Sequence, residues 1–433
     1  FFVCAAAPIG ASATPECPSG MDALALTPED SARFNAVPSP TLARESGVRT
    51  SPREQDLPRL AQVFPAASPP LSGRSSRNVV GVILPLTGKW ESIGQKILKG
   101  IETAANVFTS GESPNVEYLI RDYGNNEDAI PGIIDELDRE HGVVAVIGPV
   151  GERSGEIACR EAQQRRLPAI ILTQAERPPL EGTYCFRNFL TIDIQARTLL
   201  NAARGMGITR FAVMYPDDFF GRTFSAAFQR MAPSFGIKVV RTVMYSPKNV
   251  DFKQQVQSLS GTGRKGSSKA QKSLGRGGAF EGLLIPDSAE NAAMIASYIS
   301  YLNLPNIRLF GPTLWDTPEF LRVGDKYVEN AVFLSGFFPG SLLSSVQNFS
   351  RSFTDTFSYP PSVWEASAFD SASILQEALQ SQSLSRQALR ERIAAIKAYR
   401  GTSGITSFSS DGSLDKIPYI LTVKGGTVFE IHP

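Results

Sequence analysis

The chain has 433 residues, 42% of them apolar and 20% charged, which is enough for two or three domains with buried cores. Its 43 basic and 42 acidic side chains leave a formal net charge of +1, so there is no long-range field to steer nucleic acid or an anionic membrane to it. No run of 18 apolar residues offers a complete membrane-spanning helix.

The opening residues, FFVCAAAPIGASA, run from apolar to small, and Ala11-Ser12-Ala13 fits a signal-peptidase site. Residues 1–20 therefore read as the remnant of a secretory signal, the alternative being a frayed apolar terminus. Cys4 is the residue a lipid would modify, and membrane association is expected only if it is lipidated; Phe-Phe-Val before it makes a poor lipobox. Residues 1–77 hold 11 of the 30 prolines and show no sustained apolar period. Such a stretch buries too little surface to offset its ordering entropy, so 21–77 read as a flexible tether.

At Asn78 the pattern changes. Residues 79–84 form a continuous apolar run ending at Pro85, as expected of a strand buried on both faces of a parallel sheet. A polar loop follows, then helical spacing over 93–107. The alternation continues with strands at 116–122, 143–147 and 169–172 and helices at 128–140 and 153–166. After a helix at 192–204 it resumes with strands at 210–215, 238–245, 282–285 and 308–310 and helices at 221–235, 251–259 and 288–303. Farther on come a strand at 331–334, helices near 343–357, 362–379 and 385–399, and a hairpin of 418–423 with 427–431 around Lys424-Gly425-Gly426. Strands alternating with helices imply right-handed crossovers. Two such series imply an α/β fold of two doubly wound lobes rather than one very wide sheet.

Several segments in this order resemble the type I periplasmic solute-binding proteins, the branched-chain amino-acid receptor group of ABC importers. They are VVGVILPLTGKWESIG at 79–94, VIGPVGERS at 146–154, LPAIILTQAERPPL at 167–180, Phe186-Arg187, YPDDFFG at 215–221 and GTSGITSFSSDG at 401–412. The resemblance spans about 78–433. It implies a periplasmic, non-enzymatic receptor with two lobes joined by three hinge crossovers. Lobe I would be 78–194 with 336–404, and lobe II 195–335 with 405–433. A small-molecule ligand would sit between the lobes, with an importer permease as partner. Ligands of open α/β sheets bind beyond the carboxyl ends of strands, where helix N-termini point inward. Polar loops at 87–92, 148–154, 173–177 and 217–221 stand at such ends.

The residues expected to line the cleft are Trp90, Ile93, Val150, Gly151, Glu152, Thr173, Gln174, Glu176, Phe220, Asp287, Thr313 and Trp315. Amino-acid receptors of this family hold the ligand carboxylate with hydroxyl side chains; the matching positions here are Glu152 and Glu176. Two carboxylates repel an anion, which favours a cationic or polyhydroxylated ligand, unless Arg153 and Arg177 neutralise them or both are solvated rim charges. Trp90 is either a stacking platform or packing. Phe220 matches a family tyrosine without its hydroxyl. Cys159 and Cys185, 26 positions apart, are either a disulfide, as an exported protein permits, or two separate buried thiols.

A second group of the same fold, periplasmic activators of penicillin-binding proteins that work by protein contact, is similar at 286–291 and 332–341. Its helical-repeat N-terminal domain has no counterpart in 1–77, which show no 34-residue period. Gly261-Thr262-Gly263-Arg264-Lys265-Gly266 follows a helix rather than a strand, so it is no nucleotide fingerprint; residues 261–278 read as a basic surface insertion. With two histidines and no metal, P-loop or nucleophile motif, no cofactor and no catalysis are expected.

Overall fold

A computed structural model describes residues 78–106, 116–175, 180–260, 280–304, 306–380 and 384–432. The signal, the tether, Cys4, Cys17, Glu176, Arg177 and the basic insertion lie outside the described residues.

The first sheet is built from β1 (Asn78–Leu84), β2 (Val116–Asp122), β3 (Ala145–Val150), β4 (Ala169–Leu172) and β5 (Cys185–Arg187). Its order is β2-β1-β3-β4-β5, parallel throughout. Three helices cross over between these strands or follow them: α1 (Glu91–Ala104), α2 (Ile130–Arg139) and α3 (Glu152–Arg165).

The chain then crosses at 188–191 into α4 (Ile192–Gly205) and a second sheet. Its strands are β6 (Arg210–Pro216), β7 (Lys238–Tyr245), β8 (Gly282–Leu284), β9 (Arg308–Gly311) and β10 (Val332–Ser335), with helices α5 (Phe219–Met231), α6 (Lys253–Ser260), α7 (Ala289–Tyr301) and α8 (Pro318–Gly324). A second crossover leads to α9 (Ser344–Phe357), α10 (Val363–Ala378) and α11 (Arg386–Ala395). The small antiparallel sheet β11 (Tyr399–Gly401), β12 (Gly404–Phe408) and β13 (Leu414–Ile417) comes next. The third crossover, at Pro418, returns the chain to the second sheet as the hairpin β14 (Tyr419–Lys424) and β15 (Thr427–Glu430). That sheet runs β15-β14-β10-β9-β8-β6-β7.

The expected alternation is present, and so is the closing hairpin. The boundary expected at 404/405 falls inside β12. Residues 405–417 continue the small sheet, and Phe408 and Leu414 enter the same core as Phe186 and Trp364. The helix expected to run to 399 stops at Ala395, because Tyr399 turns into β11.

Local chemistry fixes the helix starts. Thr191, Asp218, Ser288 and Ser385 each accept a backbone N–H of the first turn of α4, α5, α7 and α11. Ser362 and Glu365 form a full capping box on α10.

The two lobes repeat one packing device. Gly94 of α1 lies so close to the end of β1 that an added Cβ would stand 2.1 Å from the Pro85 carbonyl oxygen; Gly221 of α5 would place one 2.4 Å from that of Pro216. The obstacle in both cases is backbone, so a methyl group forces the helix off its strand. Gly94→Ala and Gly221→Ala are each expected to cost about 1–3 kcal/mol. Gly132→Ala in α2, exposed and with nothing within 4 Å, should instead stabilise by about 0.5–1 kcal/mol. Urea denaturation of the three variants checks the contrast.

Candidate functional site

The carboxyl ends of the parallel strands in both sheets carry the loops on which a ligand would sit. In lobe I the loop after β1 is held by Asp122. Its carboxylate accepts from Leu86 N (2.7 Å), Thr87 Oγ1 (2.6 Å) and Gly124 N (2.7 Å). Burial alone would raise its pKa, but these donors outweigh it and hold the group below the usual carboxylate range. Asn125 Oδ1 accepts from Lys89 N at 2.8 Å. Trp90 is half-buried, with the Lys89 ammonium 5.0 Å from its ring centre.

After β3, the Val150 carbonyl accepts from Tyr123 OH (3.0 Å) and Ser154 Oγ (2.5 Å). Gly151, at φ 106°, turns the chain into α3. Glu152, first in that helix, is exposed. Arg153 does not pair with it but reaches back to Asp128 (2.8 Å) and Glu127 (3.6 Å). After β4, Thr173 is buried with its hydroxyl accepting from Ala175 N at 3.2 Å, and Gln174 is half-buried. A disulfide joins Cys159 of α3 to Cys185 of β5, with their Cα atoms 5.2 Å apart. It ties the helix presenting Glu152 to the strand that leads into the first crossover.

The strand ends of lobe II carry several acidic residues. Asp218 caps α5, while Asp217 is ion-paired with Arg222 at 2.6 Å. Asp287 accepts from Tyr245 OH (2.6 Å), Ser288 N (2.6 Å) and Asn291 Nδ2 (2.8 Å). Its carboxyl is nonetheless raised, first by burial and further by the charge of Asp218, against the pull of those hydrogen bonds. Asp316, beyond β9, is pushed up to about 6 by burial, with Ser335 beside it pulling the other way. Thr313 donates its N–H and hydroxyl to Gln195 Oε1 (3.1 and 3.2 Å). Among the described residues no basic side chain forms an ion pair with Glu152, Asp218, Asp287 or Asp316.

The structure separates the expected contacts into two sets. Trp90, Val150, Gly151, Glu152, Gln174 and Thr313 stand at strand ends with some surface open. Ile93 (4% exposed), Thr173 (4%), Asp287 (4%) and Trp315 (0%) are buried, the two polar ones spending their oxygens on neighbouring protein donors. Trp315 stacks on Phe320 at 4.7 Å and donates its indole N–H to the Asp287 carbonyl. Phe220 packs inward against Phe224 at 5.6 Å, and it is the neighbouring Phe219, 55% exposed at the mouth of α5, that faces out. The helical spacing of Phe220 and Phe224 was the signal that Phe220 belongs to the core. Phe219→Ala is expected to weaken ligand binding while leaving the unfolding midpoint nearly unchanged. Phe220→Ala should cost about 2–4 kcal/mol. Paired melting and binding curves for the two variants test this.

With this geometry the chain falls in the class of two-lobed α/β binding proteins. A family model described as periplasmic binding protein matches residues 79–427, and the chain belongs to that family. No functionally curated protein matches it in sequence. Among solved structures, a Rhodospirillum rubrum protein described as a branched-chain amino acid ABC transporter is 20% identical. It covers 82% of this chain and 99% of its own, with TM-score 0.69. A Desulfitobacterium hafniense ABC transporter substrate-binding protein in complex with Leu is also 20% identical (82% and 99% covered, TM-score 0.58). A Rhodopseudomonas palustris solute-binding protein in complex with benzoate is 16% identical (82% and 95%, TM-score 0.55). At these identities the likeness is one of fold.

Proposed function

We propose that this chain is a periplasmic receptor that captures a small polar solute between its lobes and delivers it to the permease of an ABC importer. The observation that carries the reading is the family match across 79–427 together with two sets of strand-end loops suited to a ligand. The reaction is capture and release. The residues at the strand ends bind and orient; no group among them is asked to move a proton or form a bond.

The walls support a finer reading. Glu152 stands where a receptor for amino-acid carboxylates offers a hydroxyl, and Arg153 is engaged elsewhere. At the strand ends of lobe II, the half-buried Asp218 and Asp316 add negative charge. A ligand bearing a positive group suits this arrangement, with Phe219 and Trp90 offering aromatic faces to a cation.

A thermal-shift panel of polyamines, quaternary amines, leucine, benzoate and neutral sugars tests both levels. A compound that binds only the folded chain, at 100 times its dissociation constant, should stabilise it by about 2.7 kcal/mol. Cationic compounds are expected to give the largest shifts. Their affinity should rise as the pH passes upward through about 6, where Asp316 ionises. A shift only with leucine or benzoate overturns the cationic reading and keeps the receptor. No shift with any class turns the assignment toward protein contact, for which retention of a penicillin-binding protein on the immobilised chain is the next measurement.

A further inference from the structure

The three crossovers meet at the N-terminal half of α10, and a buried polar network joins them there. Lys416, the penultimate residue of β13, is 2% exposed. Its ammonium donates to Asn188 Oδ1 (2.8 Å) in the first crossover, to Ser403 Oγ (2.8 Å) and to Thr406 Oγ1 (3.0 Å). Asp370 of α10, fully buried, accepts from the backbone N–H and hydroxyl of both Thr402 and Ser403. The Ser403 hydroxyl thus links the ammonium to the carboxylate. Asn188 in turn donates to Ser371 Oγ at 2.9 Å. Tyr419, the first lobe II residue after the third crossover, donates its hydroxyl to the Thr402 carbonyl at 2.8 Å. In the second crossover Gly336 lies against Val363 and Leu190, where a Cβ would have no room.

A buried charge is costly to desolvate, and hydrophobic residues in its place would often stabilise as well. This one joins segments far apart in sequence: the first crossover at Asn188 and the small sheet whose last strand leads into the third. We propose that Lys416 is a positioning residue of the hinge: by bonding Asn188 to the Thr402–Ser403 turn it fixes how the first and third crossovers sit together, and so the angle at which the lobes rest. The functional consequence rests on the reading that the lobes close over a ligand; the geometry of the hinge does not.

Burial lowers the Lys416 pKa to about 8, although the Asp370 charge pulls it upward. The other titratable groups facing the network are Tyr399 of β11 and Tyr419 of β14. Both are raised by burial and by Asp370 and stay protonated through that range. Asp415 and Arg197 pair with each other at 3.5 Å on the exposed side of β13. Raising the pH therefore neutralises Lys416 without mutation.

The test is pulsed dipolar EPR on the ligand-free chain. Spin labels go on cysteines at the exposed positions 140 and 238, one in each lobe, with Cys4 and Cys17 replaced by Ser. A single narrow distance distribution is expected at pH 7, broadening as the pH rises with a midpoint at about 8. Lys416→Met should be broad at every pH and Lys416→Arg, which keeps its charge, flat across the range. If Lys416→Met does not fold, the wild-type and Lys416→Arg titrations decide the matter. A distribution unchanged from pH 7 to well above 8 in the wild type, or a pH response that persists in either variant, overturns the proposal. Because no ligand is used, such a failure is distinct from a failure of the receptor reading.

Discussion

Asp370→Asn is expected to destabilise the chain by about 3–5 kcal/mol, the usual cost of removing one charge from a buried, hydrogen-bonded network that holds its opposite. The carboxylate accepts four hydrogen bonds from Thr402 and Ser403. An amide offers one oxygen for them and turns an N–H toward donors. It also leaves Lys416 charged without compensation. Lys416→Met should cost far less at neutral pH, because Asp370 keeps its four donors and the desolvation penalty of the buried ammonium is removed with it. The double variant should cost less than the sum of the two, since the residues share Ser403. Equilibrium urea denaturation measures all three; additive losses would show that the pair does not act as a unit.

The pH dependence of stability has a definite sign. The folded-state pKa of Lys416 is about 8 against 10.5 for an unburied lysine. Between these values the unfolded chain binds more protons than the native one, so stability rises with pH across the window. At neutral pH the charged form costs on the order of 3 kcal/mol relative to alkaline pH. Lys416→Met should abolish that rise.

The second large effect concerns the Cys159–Cys185 disulfide. Its sequence separation is 26 residues, and closing a loop of that length restricts the unfolded chain by about 3–4 kcal/mol on the chain-entropy account. The double Ala variant is expected to lose that much, and reduction of the wild type to lower its melting temperature to a similar degree. The loss should also reach the loop after β3, because α3, which begins at Glu152, is held to β5 through this bond. A reduced chain that melts with the oxidised one would show that helix packing alone fixes α3.

Much of the fold was legible because its strands are continuous apolar runs and its helices carry side-chain caps. Residues 80–84 are buried on both faces, and Thr191, Asp218, Ser288 and Ser385 cap helices that the apolar spacing had already marked. What escaped was short and non-local. β5 and β11 are three residues each, too brief for any period to show, and they exist only through pairing with distant partners. Phe219 and Phe220 are adjacent and identical, and the one local signal of which faces inward is the spacing of Phe220 from Phe224. The hinge network was invisible because it is non-local: Asn188 and Lys416 lie 228 positions apart, and nothing local to Lys416 signals that it is buried. Glu152 was legible as a departure from a family pattern, and the pairing of Arg153 with Asp128 required coordinates.

Whether a solute is held between the lobes can be read from small-angle X-ray scattering of the full chain with and without the compound that gives the largest thermal shift. Closure of two lobes on a ligand is a hinge motion, and the radius of gyration is expected to fall on saturation. Stabilisation without contraction would place the ligand outside the cleft and rule out capture between the lobes.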